Sequence, residues 1–244
     1  MTMANEGAGW INSQYDGVEQ YFNLKRTNAA LVAENEMLRN QMRQNMHVPD
    51  TGYLKVEDSY MLDSLKQFRQ YLWRSAKVVG NSVGLQNNYI TIHRGEMEGV
   101  RKDMGVISAQ GIAGSVVATS DHYAIVMSLL HRQSRVSAKI KKTGNLGIIQ
   151  WDGSSPLYLN MINVPKSVPI QKGDTIVTSQ YSYLFPPGIM VGTVKEIVND
   201  KASNFFTLHI TPATDFYKVE YVTVVENLQK EEQKKLEEST NKNQ

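Results

Sequence analysis

The side chains able to do chemistry are few and scattered. The five histidines stand at positions 47, 93, 122, 131 and 209, and the chain has no cysteine. A disulfide framework, a Cys-ligated zinc site and a thiol nucleophile are therefore excluded. No P-loop, G-x-G-x-x-G run, H-E-x-x-H pair or EF-hand loop occurs. A Ser-His-Asp set can be nominated from His93, Asp103 or Asp121, and Ser154. Yet Asp152-Gly153-Ser154 lacks the glycine-flanked acidic approach to a nucleophilic serine, and Asp-Gly between two β runs is a hairpin signal. Triads are recognised by geometry rather than spacing. No catalytic, cofactor-binding or metal-ligating residue is assigned, and no cofactor is expected.

Two segments could bind rather than react. His131–Lys142 carries Arg132, Arg135, Lys139, Lys141 and Lys142. Val136, Ala138 and Ile140 alternate with the polar positions, as in a half-buried strand with one solvated face. Nucleic-acid binding calls for a larger charge excess and aromatic platforms than this chain offers. The second segment, Tyr181-Ser182-Tyr183-Leu184-Phe185-Pro186-Pro187-Gly188-Ile189, sets three aromatics beside a turn. Tyr181, Tyr183, Phe185 and Ile189 suit a protein-binding patch on a rigid loop. They equally suit a plug for the end of a barrel.

The chain that positions these residues has 244 residues, 41% of them hydrophobic, with 26 Lys and Arg against 24 Asp and Glu. That content can fill a core, and a net charge of +2 excludes a polyanion-binding tail. No run approaches the ~18 apolar residues of a membrane span. Met1–Trp10 lacks the basic and apolar regions of a signal peptide.

Residues 13–48 read as a coiled-coil dimerisation helix. Leu24, Leu31 and Leu38 recur at seven, and Asn28 and Asn35 hold the complementary heptad positions. Leucine at d packs a two-stranded coil, and asparagine at a fixes its register. The alternative is one amphipathic helix lying on the next domain. Residues 49–66 read as a linker, and 229–244 as a disordered polar tail. Between them, twelve short β runs are separated by Gly, Pro, Asn and Asp, which predicts two small six-stranded antiparallel barrels. The strand count suggests nesting, with 67–119 and 195–228 forming the first barrel and 120–194 the second. A sequential split near residue 120 is the alternative. A short repeat supports a pair: Lys102–Ser108 followed by Gly111–Val116 parallels Lys172–Thr178 followed by Gly188–Val194.

Several segments resemble the β-rich region of the bacterial rod-shape-determining MreC family. They are Asn87–Ile92 with Gly95 and Gly99-Val100, Ser134–Ala138, Trp151-Asp152-Gly153, Gly173–Ser179, Phe185–Ile189 with Val191–Val194, and Thr214-Asp215-Phe216. Their order holds from about residue 20 to 228. Gln180 departs from the pattern, standing where the family often has glycine. The resemblance implies a mainly β, periplasmic or extracytoplasmic protein, anchored in the inner membrane by an N-terminal helix not seen in these residues. It implies barrels distantly related to the two-barrel serine proteases but without their triad. The implied function is a non-catalytic scaffold of the cell-elongation machinery, which self-associates and organises peptidoglycan synthesis. Its implied partners are a class B penicillin-binding transpeptidase and membrane proteins of that machinery. The competing readings are a two-barrel serine hydrolase and a glycan- or wall-binding module.

Overall fold

A computed structural model describes residues 24–42, 46–47 and 68–234. The predicted linker 49–66, the first part of the predicted coiled coil and the end of the polar tail lie outside these residues. Residues 24–41 are helical (α1). Fourteen strands follow among the described residues: β1 Met46–His47, β2 Phe68–Arg69, β3 Tyr71–Asn81, β4 Asn87–His93, β5 Gly105–Ile107, β6 Ile112–Thr119, β7 Ala124–His131, β8 Val136–Ile140, β9 Leu146–Gln150, β10 Leu159–Pro165, β11 Thr175–Thr178, β12 Met190–Val198, β13 Phe205–Pro212 and β14 Tyr221–Asn227.

Twelve of them close into two antiparallel barrels, in the orders β14-β3-β4-β7-β6-β5 and β10-β13-β12-β11-β8-β9. The alternation read from the sequence is visible in β8, whose Val136, Ala138 and Ile140 point inward while Ser137 and Lys139 are half-buried. Closure leaves each short strand with two neighbours, which removes the edges that would otherwise invite aggregation.

All strands of the second barrel lie in the chain between β7 and β14 of the first. The predicted boundaries at 119 and 195 are corrected. β7 at 124–131 belongs to the first barrel, and β13 at 205–212 belongs to the second. The reason is partner choice. β7 pairs with β6 and β4, and β13 with β12 and β10, so each completes the barrel of the strand before it. Only β14 returns across the second barrel, to pair with β3 and β5.

Two terminal expectations also change. Met46 and His47 pair with Arg69 and Phe68 instead of continuing the helix to 48. The approach to Pro49 favours extended backbone. At the other end, residues 230–234 are helical. Asn227 Oδ1 accepts the Gln229 N–H at 3.1 Å just before this turn. Lys230 lies across the first barrel and donates to the Asp103 carbonyl at 2.7 Å.

α1 completes the first barrel in an unusual way. Along 71–76, β3 pairs with β14 alone, because β4 joins it only from Lys77 onward. The open edge is filled by side chains. Asn40 accepts from the Trp73 N–H and donates to the Trp73 carbonyl, both at 3.0 Å. Glu36 accepts from the Ser75 N–H at 2.6 Å and from the Ser75 hydroxyl, and Arg94 donates to the Ser75 carbonyl at 2.5 Å. Buried backbone polar groups need such partners. Val32, Glu36, Arg39 and Asn40 are the partly covered positions of this face, at helical spacing.

Candidate partner-binding surfaces

Docking through a polar face leaves the neighbouring stripe of α1 largely exposed. Leu24, Leu31 and Leu38 are 62%, 48% and 50% exposed. Asn28 and Asn35 are exposed on the same stripe, and Asn35 donates to the Leu31 carbonyl at 2.8 Å. Each leucine keeps about half or more of its surface open, while Leu38 also borders Tyr71 and Trp73 of β3 across a groove.

The aromatic segment divides. Tyr181 is 63% exposed and Tyr183 36%, but Phe185 is fully buried and Ile189 half-buried. Phe185 is thus removed from the expected partner patch. It lies against Gly105 of β5, where an added Cβ would come within 2.8 Å of the phenyl ring. The loop is held by its hydroxyls. Ser182 Oγ accepts the Phe185 N–H at 3.2 Å, and Ser179 Oγ accepts the Tyr181 N–H at 3.2 Å. Thr178 Oγ1 donates to the Pro186 carbonyl at 2.6 Å and accepts the Ile189 N–H at 2.9 Å. Asn227 of β14 donates to the Tyr183 carbonyl at 3.3 Å, tying the loop to the first barrel. One aromatic of the segment is buried as a plug and two are exposed.

Where the loop meets α1 and β3, a groove of about 640 Å³ opens, and Leu38 and Ile189 both line it. The two sets of residues singled out in the sequence therefore meet. Sequence reasoning missed Trp73 and Arg39, which line it too. The available signal for Trp73 was a tryptophan in a β run. Nothing marked Arg39.

The nominated triad does not assemble. Ser154 Oγ donates to Asp152 Oδ1 at 2.6 Å, and the Ser154 hydroxyl is the main cause that holds the Asp152 carboxyl below its ordinary pKa. That pair shapes the β9–β10 turn. His93 stacks on Tyr123 with ring centroids 4.9 Å apart, and Asp103 binds Lys230. Among the described residues, no group of three His, Asp or Glu could hold a metal, and no helix is long and apolar enough to cross a membrane.

Two closed barrels preceded by a helix now stand beside the family likeness, and residues 78–226 match the family described as "Rod shape-determining protein MreC, barrel core". The chain belongs to the MreC family. The cell shape-determining protein MreC of Listeria monocytogenes is 30% identical over 223 residues, spanning 88% of this chain and 73% of that one. A solved structure of MreC from Listeria monocytogenes superposes with a TM-score of 0.60 at 28% identity, covering 88% of this chain and 94% of that one. MreC in a complex with the penicillin-binding protein PBP2 of Helicobacter pylori shares the fold at 15% identity and a TM-score of 0.52, covering 65% and 99% of the two chains.

Proposed function

We propose that this MreC-family chain is a non-catalytic scaffold of the cell-elongation machinery. It self-associates through α1 and presents its barrels to peptidoglycan synthesis enzymes, a class B penicillin-binding transpeptidase first among them. The reading places it outside the cytoplasmic membrane, held to the inner membrane by a helix beyond these residues and in contact there with membrane partners of the machinery. The observation that carries it is the division of α1 into two faces. Glu36 and Asn40 lock one face to β3, while Leu24, Leu31 and Leu38 leave an apolar stripe uncovered on a rod of fixed direction. Burying the exposed half of each of three leucines in a paired rod gains roughly 1 kcal/mol apiece. Asn28 and Asn35 within that seam would set the register.

Sedimentation of the chain against Leu31→Asp with Leu38→Asp tests the seam. The parent is expected as a dimer or larger and the variant as a monomer. An unchanged oligomeric state refutes the assignment. Tyr181 and Tyr183 are the exposed remainder of the aromatic patch. Tyr181→Ala with Tyr183→Ala is expected to weaken binding to a transpeptidase ectodomain at least about tenfold, a hot-spot-sized loss. Unaltered affinity removes these two residues from the interface.

A further inference from the structure

Two donor side chains that line the groove between α1, β3 and the Pro186-Pro187 turn have no acceptor among the described residues. Trp73 is only 7% exposed, and its indole Nε1–H has no hydrogen-bond partner among the described residues. Leaving such a group unpaired in the interior costs about 1–3 kcal/mol. Arg39 lies over the Trp73 ring with Cζ 5.1 Å from the centroid. It makes no ion pair among the described residues, and burial pulls its pKa down from the usual arginine value. Glu36, one turn away on the same helix, is already committed to Ser75 and Arg94. The walls are apolar: Leu38, Met42, Tyr71, Pro186, Pro187 and Ile189. A volume of about 640 Å³ falls within the range of ligand clefts, ~300–1,000 Å³.

We propose that this groove docks an extended peptide segment of a partner protein, one that sets a carboxylate beside an aliphatic side chain. The carboxylate accepts from the Arg39 guanidinium, beside the ring of Trp73. The aliphatic side chain lies against Leu38, Met42 and Pro187. One guanidinium matches a single negative charge, whereas a doubly charged phosphate would remain half compensated. A proline- and aromatic-walled trough suits an extended backbone, whose alternate side chains face into pockets. The proposal does not rest on the scaffold reading, since it needs neither dimerisation nor a transpeptidase.

The test follows the Trp73 indole resonance in the nitrogen-15-labelled full chain, assigned by its loss in Trp73→Phe. The probe is the blocked peptide acetyl-Leu-Pro-Leu-Glu-Leu-Pro-amide, compared with the same peptide carrying Gln in place of Glu. The Glu peptide is expected to shift the resonance, which reports on the ring beneath Arg39, and to bind at least about tenfold more tightly than the Gln peptide, as a charge-assisted bond to Arg39 requires. Arg39→Gln is expected to erase that preference and Arg39→Lys to keep most of it. The lysine variant shows whether a loss reflects charge or a disturbed helix. No shift, equal binding of the two peptides, or a preference that survives Arg39→Gln overturns the proposal. A shift with palmitate and none with the peptide overturns it in favour of a lipid. So does an indole resonance that moves without peptide when Asp50, Glu57, Asp58 and Asp63 become amides, because the chain's own carboxylates would then be the occupant.

Discussion

The β5–β6 hairpin of the first barrel and the β11–β12 hairpin of the second are built alike to the level of single hydrogen bonds. The Asp103 N–H bonds to the Val116 carbonyl as the Gly173 N–H bonds to that of Val194, at 2.9 and 2.7 Å. The returning Val116 and Val194 N–H groups bond to Met104 and Asp174, both at 2.9 Å. The ladders slip at equivalent places, between Val106 and Ile107 and between Ile176 and Val177. A second slip recurs past Val116 and Val194. The likeness extends around both barrels. If β14 is moved ahead of β3, the six strands of the first barrel follow the chain order of β8 to β13, with the same neighbours throughout. The first barrel is thus a circular permutation of the second, and the second is inserted where the permuted strand would have continued. The difference lies in the link. Residues 109–110 join the hairpin in the first barrel, and 179–188 in the second. The shared frame supplies closure and core, while the added loop reaches out to the first barrel and displays Tyr181 and Tyr183.

The largest effect expected from breaking this comparison is at the loop. Phe185→Ala removes a fully buried ring that has no counterpart in the 109–110 link. The cost is expected at about 3–5 kcal/mol, read as a lowered urea midpoint. Gly105→Ala attacks the same contact from the other side, because its Cβ would overlap the Leu184 carbonyl oxygen. If either variant unfolds like the parent, the loop is not an inter-barrel plug.

Next come the matched glycines. A Cβ at Gly114 would overlap the Met127 carbonyl oxygen, and one at Gly192 would overlap that of Thr211, on the equivalent neighbouring strand. Backbone cannot yield as a flexible side-chain end can, so Gly114→Ala and Gly192→Ala are each expected to cost about 1–3 kcal/mol or more. Similar losses in the two variants sharpen the equivalence. Tolerance at one position alone breaks it.

A smaller test uses the turn before each hairpin. Asp103 and Gly173 occupy the same position, with φ of 64° and 91°. Left-handed backbone costs an L side chain roughly 1–2 kcal/mol. Gly173→Ala is therefore expected to lose about 1 kcal/mol in chemical denaturation. Asp103→Gly is expected to change stability by less, because the Lys230 bond to the backbone carbonyl survives and relief of the left-handed backbone offsets the loss of the Lys230–Asp103 carboxylate pair at 3.9 Å.

The strands were legible because alternation and turn residues are local, and each of the twelve predicted β runs coincides with a barrel strand. Barrel membership was not. β6, β7, β12 and β13 carry the same kind of pattern, and only long-range pairing decides that β7 closes one barrel and β13 the other. The repeat was legible up to its length difference, which hid that Ile189, not Gly188, matches Gly111 in bonding back to the hairpin. Phe185 looked like its neighbours Tyr181 and Tyr183. What distinguishes it is a small residue eighty positions away, Gly105, which leaves room for the ring. The docking face of α1 escaped for a different reason. Glu36 and Asn40 act as polar substitutes for a missing strand, and no apolar period reports that.

The smallest expected effect is a pH dependence that separates two histidines within the first barrel. His131 ends β7 and is buried. Its Nδ1 accepts the Gln133 N–H at 3.0 Å, so Nε2 carries the proton and meets Tyr89 Oη at 3.0 Å. Burial lowers its pKa from the ordinary value. Below about 6.5 the unfolded chain therefore takes up a proton that the folded chain refuses. The stability from neutral His131 is complete above that pH and is lost as pH falls toward the folded pKa. His122 acts in the opposite sense. Its hydrogen bond to Glu98 at 2.9 Å raises its pKa, so its contribution is present below about 6.5 and lost as pH rises through the folded value. Urea midpoints between pH 5 and 7.5 read both effects. His131→Asn is expected to lessen the fall in stability toward acid, and His122→Asn to lessen the fall toward neutral pH. Since His122 is exposed, added salt should shrink its share and leave that of His131 standing. If the His131 variant keeps the full acid slope, the buried neutral imidazole is not its source.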